Sequence, residues 1–367
     1  MTGQRRIRAV FVRGGTSRAL LFHRADLPSD PVAWDPIFLA ALGSPDPAGR
    51  QLDGLGGGIS SLSKVGVVGP PSRPDADVDY TFGQVEVTRP VVDYTGNCGN
   101  ISSAIGPFAI DEGLVAAIEP ETVVRIHNTN TRKLIHAHVP VVGGAAAVTG
   151  DFVLAGVPGA GARLALDFLD PGGAVTGRLL PTGSPRDVVK DVPASLVDAT
   201  NPVVFVRAKD LGLIGTESPR ELDADRELPA RLEAIRLAAA ERMRIAGSAA
   251  IPKIALVAPP AGFTALDGTS HDAAHVDVVA RVISMGNCHR AFALTAAMCL
   301  AVAARIDGTV VRECAAAAHG PDLRLGHPSG VLAIAAAVST ANGEPRAERV
   351  TVYRTARRLM EGSVCVP

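Results

Sequence analysis

Residues 96–110 read GNCGNISSAIGPFAI, an apolar run that begins with glycines and asparagines around one cysteine. The run predicts a helix over 99–110 that is apolar on nearly all sides. A helix without a polar face is normally buried. The turn-forming residues before it place Cys98 at the helix start. We therefore predict a central helix that other elements of the fold cover.

The same pattern recurs near the C-terminus. Gly286, Asn287 and Cys288 repeat the Gly-Asn-Cys motif, and the apolar stretch behind them predicts a second buried helix over 290–305. We expect Cys288 to begin that helix as Cys98 begins the first. Both thiols are then expected at helix N-termini.

Lysines upstream of the two motifs are spaced alike. Lys64 and Lys253 each introduce an apolar run. The first precedes Cys98 by 98 − 64 = 34 positions, and the second precedes Cys288 by 288 − 253 = 35 positions. A pattern that is repeated in the same order at similar spacing indicates a duplicated domain.

The division between the two copies is predicted in the Pro-rich stretch 181–193. Proline is disfavoured in the interior of both helices and strands, so such a stretch is typical of a connection. This gives an N-terminal domain over 1–188 and a C-terminal domain over 189–367. The last strand is expected to cross back to the first domain.

Strand-like runs surround both predicted helices. Their β-branched residues are bounded by turn residues, which is typical of strands. The 38 glycines and 27 prolines can supply many turns. Strands around buried helices indicate an α+β fold. The runs are 8–12, 65–68, 85–88, 123–126, 203–206, 254–257 and 350–353.

The composition excludes several classes of function. The 367 residues include 36 Lys and Arg against 37 Asp and Glu, and this net charge of −1 disfavours a nucleic-acid binder. Five cysteines without a C-x-x-C pair indicate neither a disulfide scaffold nor a metal site. The longest apolar stretch, 291–304, is shorter than the about 20 residues of a membrane span. Because 1–13 has no signal-peptide core either, we expect a soluble, cytoplasmic protein.

Cys98 is the first candidate for chemistry. The unpaired N–H groups and the dipole of a helix N-terminus favour a thiolate and bind carboxylates. A small neighbour such as Gly99 lets a ligand approach the backbone closely. The alternative is a buried cysteine that acts only as a small hydrophobe. That alternative is stronger for Cys288, which is followed by the bulky His289.

Lys64 is the second candidate. It lies between a serine-rich turn and an apolar strand, and a lysine in partly desolvated surroundings can act as a general base. Lysine is scarce here, with five against 31 arginines, which indicates that a deprotonatable amine is wanted where it is used. The alternative is an exposed lysine at a strand edge.

These motifs together resemble the PrpF family. The resemblance implies a fold similar to diaminopimelate epimerase, with two pseudo-symmetric α+β domains, each of strands wrapped around a central buried helix, and an active site in the cleft between them. It also identifies Lys64 and Cys98 with the catalytic lysine and cysteine of the family. The matching segments follow in order along almost the whole chain: 13–18, 53–65, 77–85, 96–100, 128–131, 201–202 and 326–330.

The resemblance further implies a cofactor-independent isomerase of an unsaturated di- or tricarboxylate, such as 2-methylaconitate or aconitate. Lys64 is expected to remove an allylic proton, and Cys98 to be its acid–base partner or to lie against the opposite face of the substrate. The alternatives are a 4-oxalomesaconate-type tautomerase, a racemase or epimerase with Cys98 and Cys288 as opposed acid and base, and a non-catalytic polycarboxylate-binding protein.

Dispersed donors are expected to hold the carboxylates of the substrate without a metal or a cofactor. The expected partner is a small polycarboxylate rather than a nucleic acid or a membrane, and a homodimer is left open. The roles of His289 and His327 are also left open. The predicted substrate-binding residues are Thr16, Ser17, Arg18, Ser61, Asn97, Gly99, Asn100, Asn201, Met285, Gly286, Cys288, His289 and Ser329.

Overall fold

The computed structural model of the chain describes residues 3–245, 251–284, 286–316 and 322–367. The chain divides into two units. One consists of Met1–Asp167 together with Tyr353–Pro367, and the other of Phe168–Val352. The division near residue 188 between two sequence repeats stays a prediction.

In the described part of the first unit there are two α-helices, and most of the strands are antiparallel to a neighbour. Strand β11 (Leu164–Leu169) leads out of this unit. The helices are α1 (Trp34–Leu42) and α2 (Gly99–Asp111), and the strands are β1 (Arg5–Gly14), β2 (Ser17–His23), β3 (Lys64–Gly69), β4 (Val78–Val85), β5 (Val92–Asp93), β6 (Glu121–Asn128), β7 (Lys133–Val142), β8 (Ala145–Ala146), β9 (Phe152–Val153), β10 (Ala160–Gly161) and β23 (Ala356–Val366).

Among its described residues the second unit contains four α-helices. Strand β22 (Glu344–Arg354) leads back toward the first unit at its end. The helices are α3 (Pro219–Ala224), α4 (Leu228–Arg242), α5 (Leu294–Ala303) and α6 (Val310–Cys314), and the remaining strands are β12 (Asp187–Val189), β13 (Val192–Ala199), β14 (Asn201–Arg207), β15 (Lys253–Ala258), β16 (Phe263–Thr264), β17 (Ser270–His271), β18 (Val278–Ser284), β19 (Asn287–Cys288), β20 (Asp322–His327) and β21 (Gly330–Ala341).

The two units pair their strands in the same order. In the first, β1 is antiparallel to β2, β2 parallel to β3, β3 antiparallel to β4, β4 parallel to β6, and β6 antiparallel to β7. In the second, β13, β14, β15, β18, β20 and β21 repeat these five relationships in turn. The short strands β5 and β19 are also equivalent, since each pairs antiparallel with the strand before it. The predicted pseudo-symmetric architecture is therefore confirmed.

Helix α2 is the buried centre of the first unit, as its apolar sequence predicts. It packs against β1, β2, β3, β6, β7 and β23, and Ile101, Ile105 and Ala109 have no exposed surface. Fully burying an aliphatic side chain of this size contributes about 1.5–3 kcal/mol. In the second unit α5 is equally apolar and packs against β13, β14 and β21.

Alternation along β3 gives its two faces different surroundings. Val65 and Val67 belong to an apolar cluster that includes Phe38 of α1. Successive side chains of a strand point to opposite faces, so Lys64 and Gly66 lie on the other face of β3, where α2 packs. The first residue of this strand is thereby held on the inner side of the unit.

The second helix begins later than the sequence predicts, and Cys288 does not begin it. Cys288 lies in β19 and pairs with Ile283 of β18, while α5 begins at Leu294 with Ala293 as its N-cap. The physical reason is how soon the cysteine follows the preceding long strand. Cys98 comes 98 − 85 = 13 positions after the end of β4, whereas Cys288 comes 288 − 284 = 4 positions after the end of β18, so the Asn-Cys pair of the second unit lies in the short hairpin strand.

Within the described ranges, none of the helices combines the length and the apolar character that crossing a membrane requires.

Candidate active site

Lys64 lies opposite Gln84 in the register of β3 and β4. Its side chain is buried, with 8% of the residue surface exposed, and its Nζ donates a hydrogen bond to Gln84 Oε1. The ammonium position also lies 5.3 Å from the centre of the Phe82 ring, within the range of a cation–π contact. The amine is thus held at a defined place on the inner face of the strand.

A short 3-10 turn supports this arrangement. The turn Ser60–Leu62 is separated from β3 by Ser63 alone. Gln84 Nε2 donates to the carbonyl oxygens of Ser60, at 3.1 Å, and Ser63, at 2.8 Å. Ser61, predicted to bind substrate, is half-buried in the same turn, three residues before Lys64.

Cys98 caps the N-terminus of α2, as predicted. Its backbone is extended (φ −113°, ψ 101°), and its carbonyl accepts the N–H of Ser102 at 2.9 Å. The N–H groups of the first helical turn, including those of Gly99 and Asn100, have no carbonyl partner within the helix. The half-buried thiol therefore lies beside donors that are available to an anion.

An amide network holds the loop before α2. Asn97 Oδ1 accepts hydrogen bonds from Ser102 Oγ at 3.2 Å and from Asn128 Nδ2 at 3.3 Å. Asn128 is fully buried, and its own Oδ1 accepts the N–H of Thr131 at 2.9 Å. The amide oxygen of Asn97, predicted to contact substrate, is thus used to fix the position of Cys98.

A second network joins Asn100 to the turn between β1 and β2. Asn100 Nδ2 donates to Thr16 Oγ1 at 3.1 Å and lies 3.5 Å from Ser17 Oγ. Arg354 Nε donates to Asn100 Oδ1 at 3.2 Å. Gly15, with φ +50°, allows this approach, because a Cβ there would come within 2.3 Å of Asn100 Oδ1. Three predicted residues are thus brought together beside Cys98.

Arg354 and Tyr80 are two residues of this site that the sequence analysis did not assign. Burial lowers the pKa of Arg354 to about 10, and the nearby Cys98 thiol acts in the opposite direction. Burial raises the pKa of Tyr80, and Cys98 adds to that rise. Both groups therefore interact electrostatically with Cys98. Tyr80 lies within the family motif 77–85, which could have identified it as a site residue. No local sequence feature distinguishes Arg354.

Arg18 lies apart from this group. Its guanidinium is 5.4 Å from the centre of the Phe11 ring. Phe11 packs against the apolar cluster that includes Val65 and Phe38. Its neighbour Ser17 points to the opposite face of β2. Within the described residues the buried Nε of Arg18 has no hydrogen-bond partner.

The predicted residues Cys288, His289 and Gly286 of the second unit differ in burial. Cys288 is buried, its N–H donates to Asp223 Oδ1 at 2.7 Å, and burial raises the pKa of its thiol to about 12. Burial lowers the pKa of His289, and its Nδ1 accepts the N–H of Ala291 at 3.1 Å. Gly286 is exposed and has φ +83°.

Two further predicted residues of this unit, Asn201 and Ser329, lie in or beside strands. Asn201 is the first residue of β14 and is half-buried. Ser329, in the turn before β21, donates from Oγ to the carbonyl of Arg290 at 2.6 Å, and its N–H donates to Nδ1 of His327 at 3.2 Å. Met285 lies outside the described residues.

The family model for the PrpF protein matches residues 4–367. This chain belongs to the PrpF family. It is 44% identical to the 3-methylitaconate isomerase of Eubacterium barkeri over 100% of this chain and 98% of that protein. It is 40% identical to the 2-methyl-aconitate isomerase of Shewanella oneidensis, with 99% and 98% covered. The (4E)-oxalomesaconate Delta-isomerase of a Novosphingobium strain is also 40% identical, with 97% and 96% covered.

Solved structures agree with this assignment. A crystal structure of methylitaconate-delta-isomerase has a TM-score of 0.91 at 43% identity, covering 100% of this chain and 96% of that one. A probable proline racemase from Agrobacterium radiobacter has a TM-score of 0.52 at 14% identity, with 97% and 92% covered, and this likeness concerns the fold alone. The PrpF chain described here is thus an isomerase with a diaminopimelate epimerase-like fold.

Proposed function

We propose that this PrpF isomerase moves a double bond in an unsaturated di- or tricarboxylate of the 2-methylaconitate, methylitaconate or aconitate type. The observation that carries the proposal lies on the inner face of the first unit. There a buried amine and a helix-capping thiol each interact with an aromatic side chain of β4. Lys64 lies over the ring of Phe82, and Tyr80, two residues earlier on the same face of β4, interacts with Cys98. The names of the similar isomerases support the substrate class.

The reaction needs one proton to leave and one to return. Lys64, as the neutral amine, removes a proton from an allylic carbon, and the electron pair spreads over the diene and the adjoining carboxylate. Cys98 is the acid–base partner that returns a proton to the other end of the allylic system. A proton then passes from Lys64 to Cys98 through solvent, which restores both groups. The substrate gains and loses no atom overall, so only the position or geometry of its double bond changes. General acid–base catalysis of this kind contributes typically about 10²–10⁴-fold in rate.

The N-terminus of α2 stabilises the charge that develops. The dienolate carries one negative charge more than the substrate, and donors aimed at such charge lower the barrier. In this proposal the N–H groups of Gly99 and Asn100 and the positive end of the helix dipole supply these donors. The hydroxyl groups of Thr16 and Ser17, which contact the Asn100 amide, hold a further carboxylate.

The experiment is an ultraviolet and NMR assay of the purified protein in D₂O. The panel contains cis-aconitate, trans-aconitate, 2-methylaconitate, itaconate derivatives and 4-oxalomesaconate. The proposal expects turnover of an aconitate- or itaconate-type acid with solvent deuterium at an allylic carbon. Turnover of 4-oxalomesaconate alone would assign the tautomerase reaction instead. Racemisation of an amino acid, or binding without turnover, would exclude the proposal.

A further inference from the structure

We propose that Gln84 is the positioning residue of Lys64, and that it orients the amine through a neutral acceptor so that the amine can act as a base. This inference rests on the proposed function, which makes Lys64 the proton-abstracting group. Gln84 does not touch the reacting atoms in this proposal. It acts through Lys64.

The orientation of the Gln84 amide follows from its partners. Its side chain has one oxygen that accepts and one nitrogen that donates. The carbonyl oxygens of Ser60 and Ser63 can only accept, and they lie 3.1 and 2.8 Å from one end of the amide. That end must therefore be Nε2, and Oε1 must face the amine of Lys64. The backbone of the turn thus fixes which atom Lys64 meets.

The register of the sheet adds rigidity. Lys64 and Gln84 are directly opposite each other in β3 and β4, where side chains of an antiparallel pair lie close together. Phe82, two residues before Gln84, covers the amine from a second side at 5.3 Å. In the part of the chain that the structure describes, the Lys64 amine forms its hydrogen bond with Gln84 and no ion pair with a carboxylate.

The Gln84 amide oxygen that accepts from Lys64 carries no charge, and this matters for the protonation of the amine. A general base must be present as the free amine, and a carboxylate within about 4–6 Å favours the charged ammonium form. An amide oxygen fixes the position of the nitrogen without this electrostatic cost. A glutamate has almost the same shape as glutamine, so Gln84→Glu changes the charge of the acceptor while it keeps its reach.

The test follows the protonation of Lys64 without any substrate. Trace acetylation with acetic anhydride, read by mass spectrometry at a series of pH values, reports the fraction of free amine. We expect Gln84→Glu to move the Lys64 midpoint upward by about 1–3 pH units. Lys253 in the same sample, and Lys64 in the exposed control Gln4→Glu, keep their midpoints. An unmoved Lys64 midpoint in folded Gln84→Glu overturns the proposal.

Turnover provides a second readout. The pH–rate profile of Gln84→Glu should move to higher pH with the labelling midpoint, so that activity lost at neutral pH returns in alkaline solution. Gln84→Met removes the acceptor without adding a charge, and kcat should fall at least about tenfold while KM changes little. Circular dichroism and thermal unfolding check each fold, because the glutamate also faces two carbonyl oxygens.

If the Gln84→Glu protein does not fold, Gln84→Met still tests the proposal. Folded Gln84→Met with normal kcat overturns the proposal on its own. Because the labelling needs no substrate, a shifted midpoint in a protein without isomerase activity separates a wrong substrate assignment from a wrong role of Gln84.

Discussion

Lys64 and Lys253 occupy equivalent positions in the two units. Each is the first residue of a strand that runs parallel to the strand before it and antiparallel to the next strand of the repeat. Their surroundings differ. Lys64 faces the neutral Gln84, whereas burial and the nearby Arg236 both lower the pKa of Lys253. Only the first unit has a thiol at the start of its central helix, because Cys98 is the N-cap of α2 and Ala293 is the N-cap of α5.

This difference predicts unequal effects of the same substitution. Lys64→Met keeps the length of the stem and removes the amine, so kcat should fall by about 10²–10⁴-fold. Lys253→Met should lose less, since no helix-capping thiol accompanies that amine. Steady-state kinetics on the substrate identified by the panel measures both. Lys209→Met, at an exposed position, is the control. Equal losses in the two variants would contradict the assignment of the base to the first unit.

Arg354 gives a prediction about positioning. Its Nε holds Asn100 Oδ1, and Asn100 in turn reaches Thr16. Arg354→Met leaves the half-buried Oδ1 of Asn100 without this donor, which we expect to cost about 1 kcal/mol in the free energy of unfolding. Without that hold on Asn100, we expect KM to rise as well. Urea unfolding and steady-state kinetics measure the two effects.

The matched control is Arg357→Met, which removes an exposed guanidinium from the neighbouring strand β23. It should leave both the unfolding midpoint and KM close to those of the unchanged protein. If Arg354→Met behaves in the same way, the network from Arg354 to Thr16 does not hold the site.

The parts of this site that were predictable are those set by local sequence. The apolar run behind Gly96 fixes α2, and the glycines and asparagines around Cys98 fix its start, because both effects arise within a few residues. Cys288 shows the limit of such reasoning. Its motif is the same, but it follows the end of β18 closely and pairs with Ile283 of that strand. This pairing depends on where β18 ends, which the Gly-Asn-Cys motif does not show.

Arg354 shows a second limit. It is 254 positions from Asn100 in sequence, and it reaches the site because the chain returns to the first unit at Tyr353. No periodicity or motif near Arg354 carries that information. Gln84 lies just outside the predicted run 85–88, of which only Val85 belongs to β4, and its pairing with Lys64 depends on the register of β3 and β4.

A pH prediction concerns His138, on β7. Hydrogen bonds to Asp167 at 3.2 Å and Glu121 at 3.1 Å raise its pKa to about 9. A raised pKa means that the folded state binds the proton more tightly, so this stabilisation is complete below pH about 6.5 and is lost as the pH rises through about 9. Because the imidazole is partly exposed, we expect a loss on the order of 1 kcal/mol.

Urea unfolding at pH 6 and pH 10 measures this loss. His138→Gln cannot take up the proton, so the free energy of unfolding of that variant should fall less between the two pH values. His136, whose pKa burial lowers, is the neighbouring contrast: its folded state binds the proton less tightly, so His136→Gln should increase rather than reduce the fall in the free energy of unfolding between the two pH values. An identical pH dependence in His138→Gln would show that the imidazole carries no net stabilising charge.

Alkylation should single out Cys98 among the cysteines that matter for turnover. Burial raises the pKa of the Cys288, Cys299 and Cys314 thiols, and a thiol must ionise to react with iodoacetamide. Cys98 is half-buried at a helix N-terminus, and Cys365 is exposed on β23.

In a Cys365→Ser background, mild iodoacetamide should therefore label Cys98 first and remove activity in proportion. A polycarboxylate substrate should protect it, because a carboxylate bound at the helix N-terminus blocks the approach of the reagent to the thiol. Mass spectrometry after partial inactivation identifies the labelled thiol. Loss of activity with Cys98 unlabelled would place the site elsewhere in the chain.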